Sequence, residues 1–132
     1  MILLNQTHYD IVRSLLDEAF PQPAKRRWTA KNLRTELETD RFHGLFSDNK
    51  LIAMYALTKT GAFYYLYGLC VNKNFRGKGF GKKILHDAAK QTYARPLIVH
   101  LEITERRAIA WYLREGFEPY HYEKDVVWMV RY

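Results

Sequence analysis

Cys70-Val71-Asn72-Lys73-Asn74-Phe75-Arg76-Gly77-Lys78-Gly79-Phe80-Gly81-Lys82-Lys83 is the most informative stretch of the chain. It follows a run of strand formers and leads into Phe80, Ile84, Leu85, Ala88 and Ala89, which repeat at helical spacing. Glycines at 77, 79 and 81 lack Cβ atoms, so the backbone can turn tightly and converge its N–H groups on an anion. A helix that opens there adds unpaired donors and the positive end of its dipole. Arg76, Lys78, Lys82 and Lys83 add charge, and the whole suits a pyrophosphate. The same residues also describe a glycine-rich surface turn with solvated lysines. Two named phosphate motifs do not fit. Counting from Gly77 and Gly79, the Rossmann pattern needs a third glycine where Lys82 stands. The P-loop needs Gly at Arg76 and Ser or Thr at Lys83.

Working outward, the residues before the cluster form three strands, at about 42–47, 50–59 and 62–72. The turn Ser47-Asp48-Asn49-Lys50 and the turn around Gly61 make them consecutive antiparallel hairpins. After the cluster come a helix at about 80–93 and a strand at 97–103, opened by Pro96, in which His100 and Glu102 alternate with apolar residues. A helix at about 105–115 ends at Gly116, placed as a C′ glycine. Strands at about 117–123 and 126–131 turn through Lys124-Asp125. At the other end, Ile2–Leu4 reads as a short strand. Thr7 reads as the cap of a helix carrying Ile11, Val12, Leu15, Leu16, Ala19 and Phe20, which Pro21 stops. A second helix begins at Thr29, with Trp28 and Leu33 at the staple positions. The order βααβββαβαββ predicts an α/β fold with a mixed, mostly antiparallel sheet. Strands 62–72 and 97–103, joined by a helix, are expected to lie parallel.

At 132 residues the chain has room for one domain, spanning 1–132, and its 48% hydrophobic and 15% aromatic content suffices for a core. The longest apolar run, Leu51 to Leu57, falls far short of the roughly 20 residues a membrane-spanning helix needs. The N-terminus has no basic region before its apolar start, and Cys70 is the single cysteine. A soluble protein of the reducing cytoplasm is expected, without disulfide, zinc site or membrane anchor. The net charge of +7 falls mainly in residues 71–132 and favours a polyanionic partner, either nucleic acid or a phosphorylated small molecule.

Arg76-x-x-Gly79-x-Gly81 between a strand and a helix resembles the acetyl-CoA-binding motif of the GNAT superfamily of N-acetyltransferases. A second block, Ala108 followed by Trp111-Tyr112-Leu113-Arg114-Glu115-Gly116-Phe117, is similar to that family's Ala-x-x-x-Tyr-x-x-x-Gly-Phe segment. The predicted element order agrees along nearly the whole chain. The resemblance implies acetyl-CoA as cosubstrate, its pyrophosphate on the amides of Gly77, Lys78, Gly79, Phe80, Gly81 and Lys82, beside Arg76. Its pantetheine arm would run between strands 62–72 and 97–103, bonding Leu69 and Val71, with Cys70 and Ala108 close by. Many members carry Asn where this chain has Glu105, and a carboxylate cannot donate the hydrogen bond of an amide. Glu105 reads equally as an acidic residue at a helix N-terminus.

Transfer to an amine needs a base, an oxyanion partner and an acid. The resemblance makes Tyr112 the acid or thiolate stabiliser, and an N–H near Leu69 or Cys70 the oxyanion donor. His100 and Glu102 share a strand face and are the candidate bases. An ordered-water relay is the alternative. Cys70 reads as a small strand residue. Tyr65 and Tyr67, among Tyr55, Tyr64, Tyr65 and Tyr67, are candidates for the acceptor pocket. Lys25, Arg26, Arg27, Lys31 and Arg34 would suit an acidic acceptor or form a solvated face. The expected activity is acetyl transfer from acetyl-CoA to a primary amine of a small molecule, peptide or protein. The alternatives are a non-catalytic acyl-CoA-binding or sensing module and, on charge alone, a nucleic-acid-binding domain. The apolar last strand, Val126 to Val130, offers an edge for pairing with a second copy.

Overall fold

The computed structural model describes residues 1–20 and 28–132. Strand β1 (Ile2–Leu3) is followed by a 3₁₀ turn over Gln6–His8 and helix α1 (Tyr9–Ala19). Thr7 is not the cap: Asn5 caps the 3₁₀ turn, and α1 continues from His8, which makes no side-chain cap of its own. The Asn5 side chain accepts from the Thr7 N–H at 2.9 Å, and His8 Nδ1 accepts from the Asn5 N–H at 3.0 Å. Helix α2 (Ala30–Leu37) is capped as expected by Thr29, whose hydroxyl accepts from the Asn32 N–H at 3.1 Å. Next come β2 (Phe42–Ser47), β3 (Lys50–Thr60) and β4 (Phe63–Val71). Asp48 and Asn49 both take positive φ, as a two-residue hairpin turn of matching twist requires. A second 3₁₀ turn (Lys73–Phe75) precedes α3 (Phe80–Gln91), then β5 (Leu97–Glu102), α4 (Arg106–Arg114), β6 (Glu118–Glu123) and β7 (Val126–Arg131).

The sheet runs β1-β2-β3-β4-β5-β7-β6, antiparallel throughout except where β4 meets β5. Helices α3 and α4 cover one face and α1 and α2 the other. The central β3 is apolar on both sides, which accounts for the run Leu51–Leu57. Ala53, Tyr55 and Leu57 join the core under α3, while Met54 and Ala56 join the core under α1 and α2. On α1, Val12, Leu15 and Leu16 are buried, but Ile11 stays 40% exposed. Strand β7 lies between β5 and β6, so both its edges are paired and it offers none to a second copy. Its side chains are apolar on both faces because it is an interior strand.

Candidate active site

Strands β4 and β5 pair only at Tyr64 with Leu97 and at Tyr65 with Ile98. Beyond that point they part, and the gap widens into a cleft of about 1260 Å³. A bulge in β4 accompanies the parting: Met54 pairs with Cys70 and Ala56 with Tyr67, leaving Gly68 and Leu69 opposite Tyr55 alone. Gly68 takes φ +62°, a conformation favouring glycine, and its missing Cβ would lie 3.5 Å from the Trp28 ring. Past the bulge, the Asn72 N–H returns to the Ile52 carbonyl at 2.8 Å. The alternation of a strand then turns the polar groups of Val71 away from β3, toward the cleft.

The glycine loop closes one end of this cleft. Gly79, with φ +85°, is the N-cap residue of α3, and no side chain among the described residues caps that end. A Cβ on Gly77 or Gly79 would meet nothing within 4 Å among the described residues, so the backbone there is open to a ligand. Gly81 serves differently: a Cβ would press the Trp111 ring at 3.3 Å, so its absence lets α3 and α4 approach. Arg76 lines the cleft but is already engaged. Its Nε donates to the Val71 carbonyl at 2.9 Å and its Nη2 to Glu18 Oε2 at 2.7 Å, tying the loop to α1. Lys82 also lines the cleft. Lys78 does not; its ammonium sits 5.8 Å from the Phe75 ring centroid.

At the middle stand Leu69, Cys70, Val71, Ala108 and Tyr112, all lining the cleft. The Gly116 turn, φ +93°, brings the Phe117 N–H back to the Tyr112 carbonyl at 3.0 Å and packs the two rings edge to face at 5.1 Å. This explains why Gly and Phe stand four and five residues after Tyr112. The Tyr112 hydroxyl makes no hydrogen bond among the described residues. Burial, with the neighbouring Cys70, Glu105 and Tyr65, pushes its pKa up, so it holds its proton at neutral pH. The Cys70 thiol is pushed up to about 12 by burial and is no thiolate nucleophile. Glu105 is the N-cap residue of α4, and its carboxylate accepts the Glu102 N–H at 2.8 Å, fixing the junction from β5 to α4.

The other end is aromatic. Tyr65, Tyr67, His100 and Trp28 line it, and Glu102 lies nearby. The Tyr65 hydroxyl is 2.8 Å from His100 Nδ1, and the His100 ring also packs on Trp128, 4.7 Å between centroids. Tyr65 and Tyr67 stack at 5.3 Å. Tyr55 takes no part: it is fully buried on the α3 side, donating to Asp87 Oδ2 at 2.6 Å. Tyr64 also packs toward the core under α3. Lys25, Arg26 and Arg27 lie outside the described residues, and the Arg34 guanidinium sits over the Tyr9 ring at 4.1 Å.

The family model described as Acetyltransferase (GNAT) family matches residues 7–117. The chain belongs to the GNAT acetyltransferase family. As a GNAT acetyltransferase it is an acyltransferase with acetyl-CoA as cosubstrate. The GNAT fold is also seen in similar solved structures. The PaiA N-acetyltransferase of Thermoplasma acidophilum, in complex with coenzyme A, has a TM-score of 0.84 at 14% identity, covering 98% of this chain and 96% of that one. The ribosomal-protein-S18-alanine N-acetyltransferase of Escherichia coli has a TM-score of 0.80 at 16% identity, covering 98% and 90%. An acetyltransferase of Thermus thermophilus has a TM-score of 0.78 at 17% identity, covering 97% and 92%. No curated protein matches the sequence. The cleft fits the GNAT cosubstrate: uncapped amides and the open backbone of Gly77 and Gly79 stand at one end, and a long parted channel leads from them. Among the described residues, no helix is long and apolar enough to cross a membrane.

Proposed function

We propose that this GNAT acetyltransferase moves the acetyl group of acetyl-CoA directly to a primary amine of a small molecule, peptide or protein. One observation carries the reading. Tyr112 and the Tyr65–His100 pair face one opening between β4 and β5, with the uncapped glycine loop at its far end. Bound acetyl-CoA supplies the acetyl thioester. The amides of Gly77 to Lys82 hold the pyrophosphate, and Lys82 adds charge. The Val71 N–H aligns the pantetheine arm, since the Val71 carbonyl is taken by Arg76. The Leu69 N–H, beside the bulge, meets the charge that develops on the carbonyl oxygen. His100, oriented by the Tyr65 hydroxyl and the Trp128 ring, receives the proton from the amine, with Glu102 as the second candidate base. Tyr112 Oη, which lines the same opening, delivers its proton to the departing sulfur.

Incubation with acetyl-CoA and a panel of amines, read by mass spectrometry and by release of free CoA thiol, tests this. Acetylated amine is expected, with kcat lowered about 10²-fold or more in Tyr112→Phe and His100→Gln. Acetyl-CoA that binds while no amine is acetylated would refute the enzymatic reading and favour a binding module.

A further inference from the structure

The wall of the cleft opposite the glycine loop is braced from behind by a side chain that does not line the cleft. Glu36, on α2, turns both carboxylate oxygens toward donors. Oε1 accepts from the Tyr67 hydroxyl, and Oε2 accepts from Trp28 Nε1 at 3.2 Å. Arg41 Nη1 lies 3.9 Å from Oε1, and the Glu36 side chain is only 22% exposed. With both oxygens engaged, the carboxylate fixes the orientation of two rings at once.

Those rings are the ones that shape the acceptor end. Trp28 lies under Gly68, at the bulge where β4 leaves the regular ladder. Trp28 and Tyr67 stack at 6.3 Å and 17°, and Tyr67 and Tyr65 stack at 5.3 Å and 16°. Tyr65 reaches His100 through its hydroxyl. The brace thus passes through two stacked rings to the group proposed to receive the amine proton.

We infer that Glu36 is a positioning residue of this acetyltransferase, holding Trp28 and Tyr67 as the wall against which the acceptor amine lies. The inference rests on the acetyltransferase reading above. It separates the two substrates, because Glu36 touches the acceptor end alone and the glycine loop has its own anchor in Arg76 and Glu18.

Steady-state kinetics of Glu36→Ala, Glu36→Gln and Tyr67→Phe test it, using the amine that the wild type turns over best. Calorimetric titration of acetyl-CoA on the same preparations reports the other end. Glu36→Ala is expected to raise the amine KM about tenfold, the scale of a lost charged hydrogen bond, and to lower kcat several-fold. Acetyl-CoA affinity stays within twofold. Gln keeps one accepting oxygen and places an amide NH₂ against the other donor, so its effect is intermediate. Tyr67→Phe deletes one donor without opening a cavity, and raises the amine KM by about threefold, which keeps the inference testable should Glu36→Ala fold poorly. Wild-type turnover with an unmoved amine KM in Glu36→Gln and Tyr67→Phe would overturn the inference alone. Equal weakening of amine and acetyl-CoA would overturn it too. A wild type that acetylates no amine would overturn both the reading and the inference.

Discussion

Replacing Gly79 separates backbone strain from charge at the glycine loop. Gly79 has φ +85° and open space where a Cβ would go, so Ala meets no neighbour but pays for the left-handed conformation. That costs about 1–2 kcal/mol, offset in part by the roughly 0.4–1 kcal/mol that Gly→Ala removes through the unfolded chain's entropy. The net loss, about 1 kcal/mol, lowers Tm by about 3–6 °C at this chain length. Glu pays the same strain, and at the N-terminus of α3 its carboxylate recovers about 0.3–1 kcal/mol. The two variants are therefore similar in stability. They differ toward a pyrophosphate. Two unit charges about 4 Å apart repel by about 4 kcal/mol near a protein surface. Even half that weakens binding by about 30-fold. Thermal unfolding with and without acetyl-CoA reads both effects, because a ligand that binds only the folded state raises Tm. Wild type and Gly79→Ala should gain in Tm with acetyl-CoA, and Gly79→Glu should gain almost nothing. If Ala and Glu lose the gain equally, strain and not charge is responsible. If Glu loses none of it, the pyrophosphate does not sit on this loop.

Three further outcomes follow from particular side chains. Tyr55→Phe removes the donor to Asp87 from a fully buried site, and should cost about 1–3 kcal/mol, seen as a lower denaturant midpoint at unchanged slope. Cys70→Ala should retain turnover, and the folded wild type should resist alkylation at pH 8, because burial holds the thiol protonated to about pH 12. Burial lowers the His43 pKa below 6.5, with the Asp87 carboxylate partly opposing it. The unfolded chain therefore binds more protons just below pH 6.5, and stability falls as pH drops from 6.5 to the folded value. Denaturant melts of His43→Phe, which keeps a ring on Tyr55, should show a shallower decline over that window.

The fold was legible because its elements are marked by local chemistry. The Asp48-Asn49 turn, the Thr29 cap and Gly116 each act within a few residues, and each stands where the spacing placed it. The cap at Asn5 leaves no usual mark in the sequence, because its reciprocal partner is a histidine ring where the usual pattern expects Glu or Gln. Gly68, inside an unbroken strand pattern, is a mark of a bulge, yet nothing in the sequence says which way the strand departs. The contacts that organise the site join distant positions. Arg76 meets Glu18 across 58 residues, and Tyr67 meets Glu36 across 31. Residue spacing carries no signal at that range, so the sequence marks Arg76 only as charge beside a phosphate, and nothing in it singles out Glu36.

Calorimetric titration with acetyl-CoA tests the central claim most directly, with CoA and an unrelated nucleotide as controls. The parted strands and the glycine loop predict saturable binding at one site, with the unrelated nucleotide failing to compete. No binding at high acetyl-CoA concentration would contradict the assignment of this cleft and the chemistry built upon it.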